Sequence, residues 1–187
     1  MHKRYRWRSE DGFGLEHLDL RFGDDVIVAE GTVVGGQDDP DGPYGCHYRV
    51  CCDSGWRVRS VEVAVAGGAA LVLTSDGGGV WRDGDGAALP LLDGCIDVDI
   101  SATPFTNTLP IRRLGPRLDA RTELFMAWIN VSTLAVDRAP QAYTRKADGR
   151  YHFEALDIGF EALLEVDGDG MVRDYPGLFR RVDVNQP

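Results

Sequence analysis

Asp97 and Asp99 stand two positions apart in the run Asp93-Gly94-Cys95-Ile96-Asp97-Val98-Asp99-Ile100. In an extended strand that spacing puts both carboxyls on one face, with Cβ atoms roughly 7 Å apart. It is open to a general acid and its carboxylate partner, as in sugar hydrolysis. The alternative is a solvated face opposite buried Ile96, Val98 and Ile100. Just beyond lie Thr103, Thr106, Asn107 and Thr108, punctuated by Pro104 and Pro110 and followed by Arg112-Arg113. Neither proline fits inside a central strand. Two readings stand side by side. In one, the hydroxyls and the amide satisfy loop backbone while an arginine pairs with Asp97 or Asp99. In the other, Thr103 and Asn107 line a polar mouth whose Arg112 or Arg113 grips phosphate, carboxylate or sugar hydroxyls.

No cofactor or metal signature accompanies these residues. The glycine-containing segments 12–14, 77–79 and 84–86 lack the third glycine and the following helix of a dinucleotide fold, and there is no P-loop and no GxSxG elbow. A calcium loop starting at Asp167 fails because its third acidic ligand would fall on Met171. Cysteines at 46, 51, 52 and 95 have no CxxC partner pair to complete a tetrahedral site, and the four histidines are scattered. The expectation is therefore reduced thiols, no metal and no cofactor.

The elements that would position these residues follow from composition. Helix-forming polar residues are scarce, with 8 Glu, 2 Lys and 3 Gln against 23 Gly. Asp and Gly recur together at 53–55, 76–77, 83–84, 93–94, 148–149 and 167–168, where they mark tight turns. Between the turns run short alternating segments, such as Leu18, Leu20 and Phe22 against His17, Asp19 and Arg21. Further strands are predicted at 26–34, 45–51, 56–65, 69–74, 79–82, 94–100, 122–131, 141–146, 150–155, 159–166, 170–175 and 178–184. This is a mainly β chain with little helix, in which short turns make an antiparallel meander. In 122–131, Leu124, Met126 and Trp128 alternate with Phe125, Ala127 and Ile129, so the strand is either sandwiched in a core or borders an apolar cavity. An offset of 91 residues aligns Leu73, Asp76, Gly77, Gly79, Arg82, Asp83 and Gly86 with Leu164, Asp167, Gly168, Gly170, Arg173, Asp174 and Gly177. The expectation is one domain over 1–187 with two similar halves, about 45–100 and 140–184.

Charge and hydropathy exclude some partners. Twenty basic against thirty acidic residues give a net charge of −10, which argues against nucleic acid. The longest uncharged stretches, Val63 to Ser75 and Leu124 to Val136, are too short for a transmembrane helix of roughly 20 residues. The start, MHKRYRWRSEDGFG, has charge and glycine where a signal peptide has an apolar run, so a cytoplasmic location is expected.

The segment LDGCIDVDISATPFTNTLPIRRL, residues 92–114, closely resembles the signature of a bacterial family described as putative glycolipid-binding proteins, long treated as a domain of unknown function. Trp7 followed by Gly14-Leu15-Glu16-His17-Leu18, Tyr48-Arg49-Val50 before Trp56, Ala127-Trp128, Gln141-Ala142-Tyr143, Tyr151, Val166-Asp167 and Asp174 through Phe179 agree in order. The resemblance implies a curled antiparallel sheet, likened to the half-barrel of bacterial lipoprotein carriers that hold acyl chains in an apolar cavity. It brings no catalytic residues.

The resulting expectation is a non-enzymatic module that binds a lipid, glycolipid or other amphipathic ligand inside a half-barrel or β-roll. Leu124, Met126 and Trp128, or the alternate face of their strand, would line the apolar part, and Arg112 or Arg113, with Thr103 and Asn107, would meet the head group. The alternatives are a structural or protein-interaction module, self-association included, and a hydrolase using Asp97 and Asp99.

Overall fold

The computed structural model describes residues 1–36 and 42–182. Seven strands make the first half of the chain: β1 (His2–Ser9), β2 (Leu15–Phe22), β3 (Val26–Gly35), β4 (Tyr44–Asp53), β5 (Val58–Val65), β6 (Ala70–Ser75) and β7 (Trp81–Asp83). Seven more make the second: β8 (Asp97–Ile100), β9 (Thr122–Ile129), β10 (Val136–Arg145), β11 (Arg150–Ala155), β12 (Phe160–Val166), β13 (Val172–Tyr175) and β14 (Phe179–Arg181). All belong to one curled sheet that does not close into a barrel. Its order runs β7 back to β1, then β14 back to β8, so β1 and β14 meet in the middle. Neighbours are antiparallel except β8 and β9, which run parallel.

The turn chemistry explains why the chain meanders. Asp53, Asp76, Asp83 and Asp167 each use Oδ1 to accept the backbone N–H groups of residues two and four further on. One carboxylate thereby satisfies two donors that a tight reversal leaves unpaired. The hairpins at both ends of the 91-residue offset share this turn, with Asp76 N–H bonded to Val80 O and Asp167 N–H to Met171 O.

β1 was not among the predicted strands. Its sequence HKRYRWRS alternates strictly: Lys3 and Tyr5 are half-buried and Trp7 is buried, while His2, Arg4, Arg6 and Arg8 are exposed. The basic outer face disguises a regular strand.

The 93–119 segment is the main irregular element. Thr103, extended at the N-cap, accepts Phe105 N–H (3.0 Å) and starts a 3-10 turn at Pro104–Asn107. That turn leads into helix α1 (Thr108–Leu114), where Pro110 lies in the first turn and removes no helical hydrogen bond. The segment fills the concave side of the sheet and divides its core. Phe105 and Leu109 pack with the first-half strands and with Val98, Ile100, Ala127 and Ile129. Ile111, Leu114 and Leu118 pack with Tyr143, Tyr151, Phe153 and Leu164 of the second half.

The two ends of the sheet meet through turns. Gly94 N–H bonds Gly79 O (2.9 Å), Trp81 Nε1 donates to Cys95 O (2.7 Å) and Val58 N–H reaches Ile96 O (3.4 Å). No described helix is long and apolar enough to cross a membrane.

Candidate functional site

Both faces of β8 are covered. Val98 and Ile100 face the first core, so Asp97 and Asp99 face the other way, alongside their β9 neighbours Met126 and Trp128. The expected solvated face is absent at Asp97, which is 0% exposed, while Asp99 is half-buried. Its carboxylate receives Arg113 Nε at 3.0 and 3.1 Å on its two oxygens, and Arg113 Nη2 closes the fork on Oδ2. Burial raises the Asp97 pKa, and Arg113 works against that rise.

Asp99 is held differently. Thr106 Oγ1 donates to its Oδ1 (3.0 Å) and Gln141 Nε2 to its Oδ2 (2.7 Å). Burial pushes its pKa upward, and these two bonds oppose the rise only in part. No cation pairs with it directly among the described residues. Beyond Gln141, Tyr143 OH contacts Gln141 Oε1 (3.1 Å) and Asn107 Oδ1 (2.9 Å).

Asp99, Thr103, Asn107 and Gln141 form the polar floor of an open cleft of about 500 Å³. Its apolar wall comes from β11 to β14: Phe153, Phe160, Tyr175 and Phe179 follow one another at ring-centroid spacings of 6.2 to 6.3 Å. Trp128 and Ile158 add to its lining, and Asp137, Arg138 and Asp157 bring charge to it.

The sequence-predicted residues separate into two groups. Thr103, Asn107 and Trp128 line the cleft together with Asp99. Arg113 is committed to Asp97, Met126 is fully buried and Leu124 packs against the second core, so none of these lines it. Arg112 is exposed, with its guanidinium carbon 5.2 Å from the Trp56 ring centroid. Asp97 and Asp99 share a face of β8, but Asp97 does not line the cleft that Asp99 lines, so the two carboxyls do not flank it together. Two hydroxyls of the segment also satisfy backbone: Thr106 Oγ1 accepts Ile100 N–H (3.4 Å) and Thr108 Oγ1 donates to Gly170 O (2.9 Å).

A second polar centre was not singled out from the sequence. Glu16, on β2, is 2% exposed. Its Oε1 accepts Thr103 Oγ1 (2.8 Å) and the Tyr48 hydroxyl, while Oε2 has no hydrogen-bond partner among the described residues. Tyr48 reaches it because Gly31, its register partner on β3, carries no side chain: a Cβ there would lie 2.1 Å from the Tyr48 ring. Burial raises the Glu16 carboxyl to about 7, against the pull of its two hydroxyl donors. The alternation that buries Leu18 and Leu20 places Glu16 on the same inner face, and that parity was the available signal.

The sequence model of the family described as "Putative glycolipid-binding" matches residues 4–181. The chain belongs to this family. A DUF1089 family protein from Pseudomonas aeruginosa, known from its crystal structure, is 42% identical, with a TM-score of 0.80 over 91% of this chain and 92% of that one. No curated protein matches the chain. The match takes in β2 to β14 and all of β1 but its first two residues, and with them every residue of the cleft and the Glu16 centre.

Proposed function

We propose that the protein binds an amphipathic, lipid-like ligand in the cleft between the 3-10 turn at Pro104–Asn107 and strands β8 to β14, without chemical change to it. The observation that carries this reading is the pairing of an aromatic wall with a polar floor in one open space of about 500 Å³. Pockets of this size hold small molecules, and a few fixed polar groups on an otherwise apolar surface set orientation. Phe153, Phe160, Tyr175 and Phe179 would cover a hydrocarbon portion. Asp99, Gln141 and Asn107 offer a carboxyl and two carboxamides to hydroxyl groups of a head, and the family description agrees with such a ligand. The head group would meet Thr103 and Asn107, but neither Arg112 nor Arg113.

The test is native mass spectrometry of protein purified from its own host, with an organic extract of the same sample, followed by titration with a fluorescent fatty acyl probe. A stoichiometric lipid and a saturable probe signal are expected. Ala155→Trp, which fills the cleft from its lining, should weaken the probe at least tenfold. An empty protein with no probe signal, or a probe indifferent to Ala155→Trp, overturns the proposal.

A further inference from the structure

A second cavity, of about 180 Å³, lies beside the cleft and shares Leu178 and Phe179 with it. Glycines line it, Gly14, Gly35 and Gly177 among them, and Trp7, Val33 and Phe179 give it apolar walls. For scale, a dry cavity of about 150 Å³ accepts a benzene ring. Among its described lining residues two are acids, Asp11 and Glu16, and none is Lys, Arg or His. Asp11 stays ionised, since the Ser9 hydroxyl and the Phe13 N–H hold its carboxyl below the usual range. Glu16 has both of its donors on Oε1 and leaves Oε2 unpaired in a buried setting. An ionised carboxylate in such surroundings lacks a counter-charge, and a buried charge without a partner is costly.

From this geometry we infer that the cavity is a binding site for a small organic ammonium, which places its N–H donors on Glu16 Oε2 and its hydrocarbon part against Trp7, Val33 and Phe179. The ammonium supplies the positive charge that no lining residue provides, and aromatic walls favour a cation over a neutral group of the same size. The site adjoins the larger cleft, sharing Leu178 and Phe179 with it and touching its floor through Thr103, which donates to Glu16 Oε1, but Asp99 and Gln141 are not among its described lining residues. Binding is coupled to protonation. With its carboxyl raised to about 7, Glu16 gives up its proton when the ammonium enters below that pH. The other titratable groups facing Glu16 are Tyr48 and Cys46 on β4, both pushed upward by burial and by Glu16 itself, so neither titrates in the same range.

Isothermal titration of the full-length protein with benzylammonium tests this, with benzyl alcohol as the neutral match. Benzylammonium should bind more tightly than the alcohol, gaining about tenfold in affinity per pH unit below 7 and levelling off above it. Glu16→Gln should lose at least tenfold for the ammonium and leave the alcohol unchanged. Tyr48→Phe removes a donor to the carboxylate and should move the pH midpoint upward, which keeps the test open if Glu16→Gln does not fold. Asp99→Asn, in the larger cleft, should leave benzylammonium binding as it was. Equal binding of alcohol and ammonium overturns the inference, as does no binding at pH 8 or loss in Asp99→Asn in place of Glu16→Gln.

Discussion

Arg113 and Glu16 show how differently single residues can be read. An arginine in an acidic chain suggests a ligand grip, yet Arg113 spends its fork on Asp97, a carboxyl with no solvent exposure. Arg113→Ala would leave that charge buried and unpaired, at a cost of about 3–5 kcal/mol measured by urea denaturation. Pairing Arg113→Met with Asp97→Leu should recover most of the loss, because an apolar pair needs no counter-charge. Glu16 carries a pH signature. Its folded-state value of about 7 lies above the reference of 4.5, so the folded protein holds an extra proton between those limits. The stability this contributes is complete below about pH 4.5 and is lost as pH rises through 7, at a slope of up to about 1.4 kcal/mol per pH unit. Asp97 and Asp99 are raised by burial too and act in the same direction. Glu16→Gln should therefore flatten, without abolishing, the fall in unfolding free energy between pH 5 and 7. The sequence held enough to place Glu16 inside, through its parity with Leu18 and Leu20. Its partners Tyr48 and Thr103 lie 32 and 87 residues away, where no local pattern reaches.

At the scale of elements, the turns were the most legible feature, because Asp-Gly chemistry is local. The Asp53 turn offers a direct measurement. Asp53 Oδ1 accepts Gly55 N–H (2.9 Å) and Arg57 N–H (3.0 Å), holding the β4 to β5 reversal. Asp53→Ala should cost about 1–2 kcal/mol by leaving both donors to water alone, whereas Asp53→Asn, which keeps an acceptor oxygen, should cost well under half of that. Thermal unfolding of the two variants separates them. The 103–114 segment was legible in part: its prolines excluded a strand, and of the two readings of its hydroxyls the backbone one describes Thr108, while Thr103 and Thr106 also donate to the carboxyls of Glu16 and Asp99. Helix α1 was not foreseen, since seven residues with a proline at the third give no 3.6-residue periodicity to read. β1 was missed for the opposite reason: its period-2 pattern is regular, but basic residues occupy its outer face.

The whole molecule is held in its curl by contacts that no strand pairing supplies. β7 and β8 end the sheet without bonding each other, and the gap between those ends is bridged by Gly94 N–H on Gly79 O and by Trp81 Nε1 on Cys95 O. Such a seam joins turns across the fold, so propensity and alternation carry no trace of it, and it was absent from the sequence reading. Two glycines allow it to be weighed. Gly79 has φ +101 and its missing Cβ would lie 2.8 Å from Gly94 Cα, a backbone atom that cannot yield without moving the seam. Gly86, in the neighbouring turn, has φ +86 but nothing within 4 Å of such a Cβ. Gly86→Ala should therefore cost only the conformational penalty of a left-handed alanine, about 1–2 kcal/mol. Gly79→Ala should cost at least twice that and shift the emission of Trp81, whose indole is fully buried at the seam. If the two variants unfold alike, the seam contributes nothing beyond local turn strain, and the curl is set by the 93–119 segment packed inside it.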